Sequence, residues 1–236
     1  MTLHNNLLAT IFTFAIALVW LRINDFIAHR GWVSSSLSRK IIHVGTGPIF
    51  VLSWLFFDDA TISRGLAALV PLAITAQFAL VGSGIIKDEA AVQAMSRSGN
   101  RREILKGPLF YGIVFVVITL VYWKDSPIGI VALMLMCGGD GLADVAGRKW
   151  GITKLPWNAD KSWVGSLGML LGGWILAVCI YALYVFAGVF PGPVSTRLLA
   201  LTMVAITGTL VEMLPLKDVD NITVTIAALV VGHILL

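Results

Sequence analysis

Residues 126–146 read SPIGIVALMLMCGGDGLADVA, an apolar run that ends in two aspartates, Asp140 and Asp144. About 20 predominantly apolar residues are needed to cross the hydrocarbon core of a bilayer, and this run has that length. An ionisable side chain in such a segment is costly and marks a candidate functional site. The stretch therefore predicts a transmembrane helix with a site at one of its ends.

The rest of the chain has the composition of an integral membrane protein. Of its 236 residues, 58% are hydrophobic and only 13% are charged, whereas a soluble domain carries about 25% charged residues. Eight apolar runs are candidate spans, although the fourth and the last are short. They cover residues 5–23, 41–57, 65–86, 108–123, 126–146, 163–190, 198–215 and 221–236. The predicted fold is an all-α bundle of seven or eight transmembrane helices, forming a single domain over residues 1–236.

The basic residues are distributed unevenly between the loops of this topology. Fourteen of the 17 Lys and Arg residues fall in alternate loops, and the other loops hold only Arg64, Lys124 and Arg197. The positive-inside rule places the basic loops in the cytoplasm, or in the stroma of a plastid. With eight spans, both termini then lie on the opposite side. The site near Asp140 is expected to face the cytoplasm or stroma.

Other features of the chain are assigned to targeting or packing. The first apolar run lacks a basic leader and a small-residue cleavage site, so it is predicted to be a retained helix. No Arg- and Ser-rich transit peptide precedes it, which suits a bacterial inner-membrane protein or a mature protein of a thylakoid or other plastid membrane. Cys137 and Cys179 lie in apolar runs and are predicted to be packing thiols rather than a disulfide. Gly168 and Gly172 form a G-x-x-x-G helix-packing face.

The two aspartates have the spacing of a helical metal site. Asp140 and Asp144 are four residues apart, so they lie one turn above each other, and Arg148 continues the same stripe. Like charges at this spacing repel, and Mg²⁺ would balance them because it typically takes one or two carboxylates together with water and phosphate oxygens. The alternative is that Arg148 and Lys149 neutralise the pair. Glycines around the aspartates weaken the helix and indicate close approach of a neighbour or a ligand.

A basic, glycine-punctuated loop follows the aspartates. It carries Arg148, Lys149, Lys154 and Lys161, and Ser162, Gly165 and Ser166 come directly after. Cations beside a metal-binding acid pair suggest a polyphosphate, whose charge the metal and the cations would neutralise together. The sequence contains no P-loop, no dinucleotide-binding G-x-G-x-x-G turn, no zinc-binding C-x-x-C or H-E-x-x-H and no G-x-S-x-G.

Three further segments have both a functional and a simpler interpretation. Lys40 and His43 lie three apart on one helix face at the inner mouth of the second span, where a snorkelling lysine and a packed histidine are the simpler interpretation. Asp220 and Asn221 begin the last span, where either could be an N-cap. The basic segment 101–106 could bind anionic lipid without any catalytic role.

Several motifs of the chain together match a known family. The central ones are Gly139-Asp-Gly-x-Ala-Asp144-x-x-Gly-Arg148 and Gly151-x-x-Lys154-x-Pro156-x-Asn158-x-x-Lys161-Ser162-Trp-x-Gly165-Ser166. Further ones are Arg39-Lys40-x-x-His43, Lys106-Gly-Pro108-Leu-x-Tyr111, and Glu212 through Pro215 to Asp220-Asn221. On these motifs the chain resembles the CTP-dependent polyprenol kinases, which include phytol, farnesol and dolichol kinases, and it is most similar to the phytol kinases. The resemblance covers residues 37–236, so residues 1–36 lie outside it, and Lys106 and Val164 depart from the family pattern.

The resemblance implies an activity and a set of site residues. It implies transfer of the γ-phosphate of CTP, with Mg²⁺, to a prenyl alcohol in the bilayer, most simply phytol, for tocopherol and prenyl-lipid synthesis. Asp140 and Asp144 would hold the Mg²⁺. The implied catalytic residues are Asp140, Asp144, Lys161, Glu103, His43 and Glu212, and one of the acids or His43 would take the proton of the alcohol. The implied nucleotide-binding residues are Gly139, Gly141, Arg148, Lys154, Ser162, Gly165, Ser166, Lys40, Asp220 and Asn221.

Other functions stay open at this point. A cytidylyltransferase acting on a lipid phosphate would share the Asp-rich and Lys-Ser elements, and a kinase could instead act on farnesol, geranylgeraniol or dolichol. A small transporter is disfavoured because the acids cluster at one face and no inverted repeat is visible. Membrane lipid is an expected partner and nucleic acid is not, while the oligomeric state is left open.

Overall fold

The structure is an all-α bundle, as the sequence predicts. The computed structural model describes residues 5–96, 98–216 and 219–236. In chain order its elements are α1 (Asn6–His29), α2 (Ser35–Ser53), α3 (Thr61–Ser83), α4 (Glu89–Met95), α5 (Gly107–Val121), α6 (Pro127–Met134), α7 (Asp140–Trp150), β1 (Lys154–Leu155), β2 (Asn158–Ser162), α8 (Trp163–Phe186), α9 (Leu198–Glu212) and α10 (Asp220–Leu235). Shorter turns are 3₁₀-helical at Trp54–Phe56, Arg101–Leu105 and Val194–Arg197 and π-helical at Leu135–Gly139.

Six helical segments of the described chain are long and apolar enough to cross a membrane. They are Asn6–Ala28, Thr61–Ser83, Arg101–Val121, Pro127–Trp150, Trp163–Phe186 and Val194–Glu212. The second and eighth predicted spans also form helices, but α2 begins with polar and basic residues and α10 has only 16 residues. The polytopic membrane bundle is therefore confirmed. Arg97 and Lys217, two cations of the predicted inner loops, lie outside the described residues.

The helix that carries the two aspartates forms the centre of the bundle. α6, the π-helical turn and α7 run as one segment, and from Ile130 to Cys137 no side chain is more than 1% exposed. The helices α2, α5, α8 and α10 pack around it, and Trp54, Tyr181 and Tyr184 are among the largest side chains of the same core. Because this segment is buried on all sides, its sequence is apolar without a helical period.

Glycines let the central segment pack closely against α8. A Cβ on Gly172 would lie 2.6 Å from the backbone oxygen of Gly138, and one on Gly168 would lie 2.9 Å from that of Leu142. Backbone atoms cannot yield to such a side chain, so the predicted G-x-x-x-G packing face is confirmed. The close contact fixes α7 against the start of α8.

A short β-hairpin, which the sequence analysis did not predict, connects α7 to α8. Its two strands, β1 and β2, pair in antiparallel orientation. The side-chain amide of Asn158 donates to the backbone oxygens of Met213 (3.3 Å) and Leu214 (3.2 Å), and Trp157 Nε1 donates to Met213 over 3.1 Å. These bonds satisfy backbone carbonyls at the end of α9. They also hold β2 beside the last turn of that helix.

Polar contacts tie the helices together at the end of the bundle opposite the aspartates. They join Asn6 to Asp58 (2.8 Å), Lys124 to Asp59 (2.8 Å), Arg64 to Asp125 (2.6 Å) and Tyr122 to His233 (2.9 Å). Hydrogen bonds from the Ser63 hydroxyl, the Asn6 amide and the Ala60 N–H lower the pKa of Asp58 below its ordinary value. The start of α1 and the end of α10 therefore lie at the same end of the bundle, as the charge distribution predicts.

Candidate active site

Lys40 lies between the two aspartates. Its Nζ is 3.6 Å from Asp140 Oδ2 and 3.4 Å from Asp144 Oδ2, and the residue is only 8% exposed. One turn later on α2, Val44 packs against Gly141, which has no side chain to hold the helices apart. A buried ammonium requires charged partners. The interpretation of Lys40 as a snorkelling lysine is therefore wrong, and the repulsion that the sequence analysis assigned to a metal is balanced by this lysine.

Each aspartate has a second partner on its outer side. His43 Nε2 lies 3.2 Å from Asp140 Oδ2, and Arg148 Nε donates to Asp144 Oδ1 over 2.9 Å. Arg148 thus supplies part of the neutralisation that was considered as an alternative to a metal. Lys149 instead lies over a neighbouring tryptophan ring, 4.9 Å from its centroid. The predicted stripe along α7 is present, with Lys40 and His43 of α2 facing it.

Tyr111 of α5 holds His43 in place. Its hydroxyl donates to the backbone oxygen of His43 over 2.7 Å and lies 3.2 Å from Cys137 Sγ, and the two aromatic rings are 4.5 Å apart. Cys137 and Cys179 are both free thiols, as predicted. These contacts fasten α2, α5 and the π-helical turn together directly beside Asp140.

A second charged cluster lies next to the first. Lys161 of β2 forms an ion pair with Glu212 at the end of α9, and its Nζ is 3.6 Å from Asp220 Oδ2 at the start of α10. Burial by itself would lower the pKa of Lys161, but the attraction of Glu212, Asp140 and Asp220 raises it above 10.5. Lys161 is therefore charged at neutral pH and close enough to Asp140 to interact with it. The two clusters together draw residues from α2, α7, β2, α9 and α10 to one end of the bundle.

Four buried polar atoms of this region make no hydrogen bond to a described residue. His43 Nε2 and Asp144 Oδ2 nevertheless lie close to Asp140 and Lys40, and the other two belong to Glu212 and Ser166. Glu212 is 3% exposed, and while Lys161 contacts its Oε1, its Oε2 is unpaired. Ser166 is 6% exposed, and its Oγ is also unpaired. Buried polar atoms in folded proteins are almost always hydrogen-bonded. Glu212 Oε2 and Ser166 Oγ therefore each mark a position where a polar ligand group would be stabilised.

The glycines implied in nucleotide binding lie at contacts between helices. A Cβ on Gly139 would overlap a side chain of α8, one on Gly141 would overlap a side chain of α2, and one on Gly165 would lie 3.2 Å from the backbone oxygen of Ala143. Ser162 caps α8, since its Oγ accepts a hydrogen bond from the Gly165 N–H over 3.1 Å. The structure gives these four residues packing and capping roles, and their contact with a nucleotide stays a prediction.

Lys154 and Asn221 lie at the edge of the site. Lys154 is exposed on β1, directly across the hairpin from Ser162. The side-chain amide of Asn221 donates to the backbone oxygen of Gly107 over 3.2 Å and so ties α10 to α5. The N-cap position of α10 is Val219, so the interpretation of Asp220 or Asn221 as the cap is wrong.

Glu103 lies in the 3₁₀ turn before α5. Its carboxylate accepts hydrogen bonds from the Ser98 hydroxyl (2.6 Å) and the Ser98 N–H (3.3 Å). These bonds close the loop between α4 and α5. A catalytic role for Glu103 stays a prediction.

Comparison with known proteins identifies the family. No family model and no solved structure matches the chain. It is 42% identical over 229 residues to a probable chloroplastic phytol kinase of Triticum aestivum. This alignment covers 96% of this chain and 76% of that protein. It is 37% identical over 212 residues to the chloroplastic phytol kinase 1 of Arabidopsis thaliana, which covers 89% of this chain and 70% of that protein. The chain belongs to the phytol kinase family.

Membership of this family makes the chain a kinase, that is, a phosphotransferase with an alcohol acceptor. Phosphoryl transfer depends mainly on positioning the reactants and stabilising charge. The two clusters have the charged groups that such stabilisation needs, since carboxylates and cations lie next to one another at one end of the bundle. The resemblance drawn from the motifs is thereby confirmed.

The aspartate pair fits a magnesium ion that binds together with phosphate. No group of three or more His, Cys, Asp and Glu side chains within the described ranges is placed to hold a metal alone. Asp140 and Asp144 offer two carboxylates on one helix face, and Asp144 Oδ2 accepts no hydrogen bond from any described residue. Mg²⁺ commonly takes one or two carboxylates and completes its shell with water and substrate phosphates. The donor set is thus sufficient for Mg²⁺ carried by a nucleotide.

Sequence reasoning missed the π-helical turn directly before Asp140. Five residues, Leu135–Gly139, form this turn in the middle of the central segment. Such turns occur frequently at functional sites because they change which residues face a cavity. The adjacent glycines Gly138 and Gly139 are the signal that could have revealed it, since they weaken an α-helix.

Proposed function

We propose that the chain transfers the γ-phosphate of CTP to phytol, giving phytyl phosphate and CDP, with Mg²⁺ as cofactor. The relatives named above are phytol kinases, which supports phytol as the acceptor. The observation that carries the proposal is the meeting of Asp140, Asp144, Glu212 and Asp220 around Lys40 and Lys161 at one end of the bundle. The product would feed tocopherol and other prenyl-lipid synthesis.

Different residues of the site are proposed to bind the metal, the phosphates and the rest of the nucleotide. Asp140 and Asp144 hold the Mg²⁺, which supplies charge neutralisation on the phosphates. Arg148, Lys154 and Lys161 contact the phosphate oxygens, since Arg148 pairs with Asp144, Lys161 interacts with Asp140, and Lys154 lies across the hairpin from Ser162, next to Lys161. The remaining residues proposed for the nucleotide pocket are Lys40, Gly139, Gly141, Ser162, Gly165, Ser166, Asp220 and Asn221.

Glu212 is the proposed acceptor of the alcohol proton. Both His43 Nε2 and Glu212 Oε2 are buried without a hydrogen bond to a described residue. His43 Nε2 lies 3.2 Å from Asp140 Oδ2, an oxygen of the proposed metal site, whereas Glu212 has no proposed metal role, which favours Glu212 as the acceptor. In the transfer step the hydroxyl oxygen of phytol forms a bond to the γ-phosphorus. The bond from that phosphorus to the β,γ-bridging oxygen breaks, the hydroxyl proton passes to Glu212, and CDP leaves.

The membrane arrangement follows from the two different ends of the bundle. We propose that residues 1–236 form one membrane domain whose charged mouth faces the cytoplasm or the stroma. The phytyl chain enters from the bilayer and lies between helices, with its hydroxyl at the interface. The concentration of Lys40, Arg148, Lys154 and Lys161 at the mouth supports this orientation.

The test follows the label of the nucleotide into lipid. Membranes containing the chain are incubated with phytol, Mg²⁺ and CTP labelled at the α or the γ phosphate. Phytyl phosphate is expected to carry label only when the CTP is labelled at its γ phosphate. Label from α-CTP would instead show cytidylyl transfer and contradict the proposal. Phytol, geranylgeraniol, farnesol and dolichol, each offered with CTP and with ATP, then define the acceptor and the donor.

A further inference from the structure

The position of Lys40 bears on how metal reaches the site. Its ammonium contacts the Oδ2 atoms of both aspartates at once, which is the place a cation shared by the two carboxylates would take. We propose that Lys40 is an internal counter-ion that keeps divalent metal off the aspartate pair until a metal–nucleotide complex arrives. This inference rests on the proposed nucleotide-dependent function and adds an order of binding to it.

The other partners of the aspartates do not block a metal in this way. Arg148 contacts Asp144 through Oδ1, the oxygen that Lys40 does not contact. His43 Nε2 lies 3.2 Å from Asp140 Oδ2, the oxygen that Lys40 also contacts, but its ion pair is with Asp140 alone, whereas the ammonium of Lys40 lies between the two carboxylates. Lys40 is therefore the cation that must move. A divalent ion placed beside an ammonium within about 4 Å is strongly repelled in a poorly solvated site.

A nucleoside triphosphate removes this obstacle because it brings anionic oxygens with the metal. Lys40 has a flexible four-carbon stem ending in a compact charge, so its ammonium can exchange carboxylate for phosphate partners without movement of α2. The backbone of α2 is fixed near this point by the contact of Val44 with Gly141. After the exchange the two aspartates would bind the metal and Lys40 would bind the phosphates. Phosphate binding is the role in the nucleotide pocket that is proposed for Lys40 above.

The experiment measures metal binding without any reaction. The purified full chain is titrated with Mn²⁺ as a paramagnetic substitute for Mg²⁺, and free Mn²⁺ is read by electron paramagnetic resonance. The titration is done with and without the non-hydrolysable β,γ-methylene analogue of CTP. The Mn²⁺ that the analogue binds in a protein-free titration is subtracted. For the wild type, the analogue is then expected to tighten Mn²⁺ binding at least about tenfold, because it supplies phosphate ligands for the metal and a new partner for Lys40.

Substitutions assign this effect to Lys40. Lys40→Met keeps an unbranched side chain, one atom shorter, and removes its charge, so nucleotide-free Mn²⁺ binding is expected to tighten about tenfold or more. Adding Asp144→Asn to Lys40→Met should abolish the gain, which locates the metal at the aspartates. Lys149→Met, which removes a cation that lies over a tryptophan ring, is the matched control and should bind Mn²⁺ like the wild type.

Two results would overturn the inference. One is a folded Lys40→Met variant that binds Mn²⁺ no more tightly than the wild type without nucleotide. The other needs no variant: wild-type Mn²⁺ affinity that is the same with and without the analogue. Neither measurement contains alcohol, so failure of the proposed phytol kinase activity, seen in the labelled-CTP assay, is a separate result.

Discussion

Lys40 and Lys161 each contact two carboxylates that come from elsewhere in the chain. Lys40 joins α2 to α7, and Lys161 joins β2 to α9 and α10. Each lysine therefore neutralises acids that would otherwise repel one another in a poorly solvated mouth. Removing one charge from such a set leaves its partner uncompensated, so each substitution of a site acid below keeps the shape of the side chain and has a matched control at an exposed acid.

Asp140→Asn tests the metal role of the aspartates. The change keeps the shape of the side chain but removes the charge that would hold Mg²⁺, so transfer of γ-phosphate from CTP to phytol should fall by about 10²–10³-fold. Asp160→Asn, the same change at an exposed position of β2, should leave the rate within about twofold. Wild-type rates for Asp140→Asn would refute the metal assignment.

Glu212→Gln tests the proton acceptor. Glutamine can still accept a hydrogen bond from Lys161, but it cannot take a proton at neutral pH, so kcat should fall by about 10²–10⁴-fold. The KM for CTP should change much less, which distinguishes a base from a nucleotide ligand. Glu89→Gln, at an exposed site on α4, is the control. If kcat stays unchanged, the proton goes elsewhere.

The raised pKa of Lys161 predicts how the stability of the protein depends on pH. Because its folded-state pKa is raised above 10.5, its stabilising contacts are fully present below that value and are lost only as pH rises through the raised pKa. Thermal inactivation of the wild type should therefore show no change due to Lys161 between pH 7 and about 10. Lys161→Met should lower thermal stability across that whole range. Stability that decreased in the wild type alone between pH 8 and 9 would contradict the raised pKa.

The sequence was sufficient to select most of the charged residues of the site but not to show how they pair. The spacing of Asp140 and Asp144 and the cost of burying them identified the pair. Lys40 was placed at the same mouth, yet its contact with both aspartates depends on the distance between α2 and α7. That distance is set by the packing of Val44 on Gly141, which no local pattern encodes.

At the scale of elements, the position of the central segment was predictable from the sequence, but its π-helical turn and the hairpin that follows it were not. Span 126–146 was predicted from its apolar run, and the helix continues to Trp150 because α7 extends beyond the buried part. The π-helical turn and the β-hairpin were missed. Strands of two and five residues are too short for a period, and the hairpin is held by Asn158 and Trp157 on the end of α9, a tertiary contact.

Gly172→Ala tests the contact between α8 and the π-helical turn. The new Cβ would lie 2.6 Å from the backbone oxygen of Gly138, so the helices must separate and stability should fall by about 1–3 kcal/mol. Gly65→Ala in α3 is the matched control, since no atom lies within 4 Å of its new Cβ, and it should be neutral or slightly stabilising. The fraction of protein remaining soluble after heating in detergent measures both. Equal stability of the two variants would contradict the packing role.

At the scale of the whole molecule, charge separates the two ends of the bundle. One end carries the clusters around Lys40 and Lys161, and the other carries the contacts of Asp58, Asp59 and Arg64. The hydropathy pattern and the distribution of Lys and Arg were enough to predict this arrangement, because both are set by the membrane rather than by packing.

Introduced cysteines test which end faces which compartment. In a chain with Cys179→Ser, which leaves the buried Cys137 as the native thiol, Asp59→Cys and Asp160→Cys place exposed thiols at opposite ends. A membrane-impermeant thiol reagent added to intact cells should label position 59 and not position 160. Permeabilised cells are the control, since both positions should then react. The reverse pattern in intact cells would invert the proposed orientation.

The ties at the end opposite the active site have a mechanical consequence. They join the start of α1, the start of α3, the loop after α5 and the end of α10, so these elements are fixed to one another there. A helix of 24 residues such as α1 is about 36 Å long, and a tilt of about 5° around a fixed end moves the other end by about 3 Å. The site end is held by different contacts, since the ion pairs of Lys40 join α2 to α7 and those of Lys161 join β2 to α9 and α10. A helix tilt that widens the bundle at the site must therefore first separate these ion pairs, while the Asp58 end stays tied.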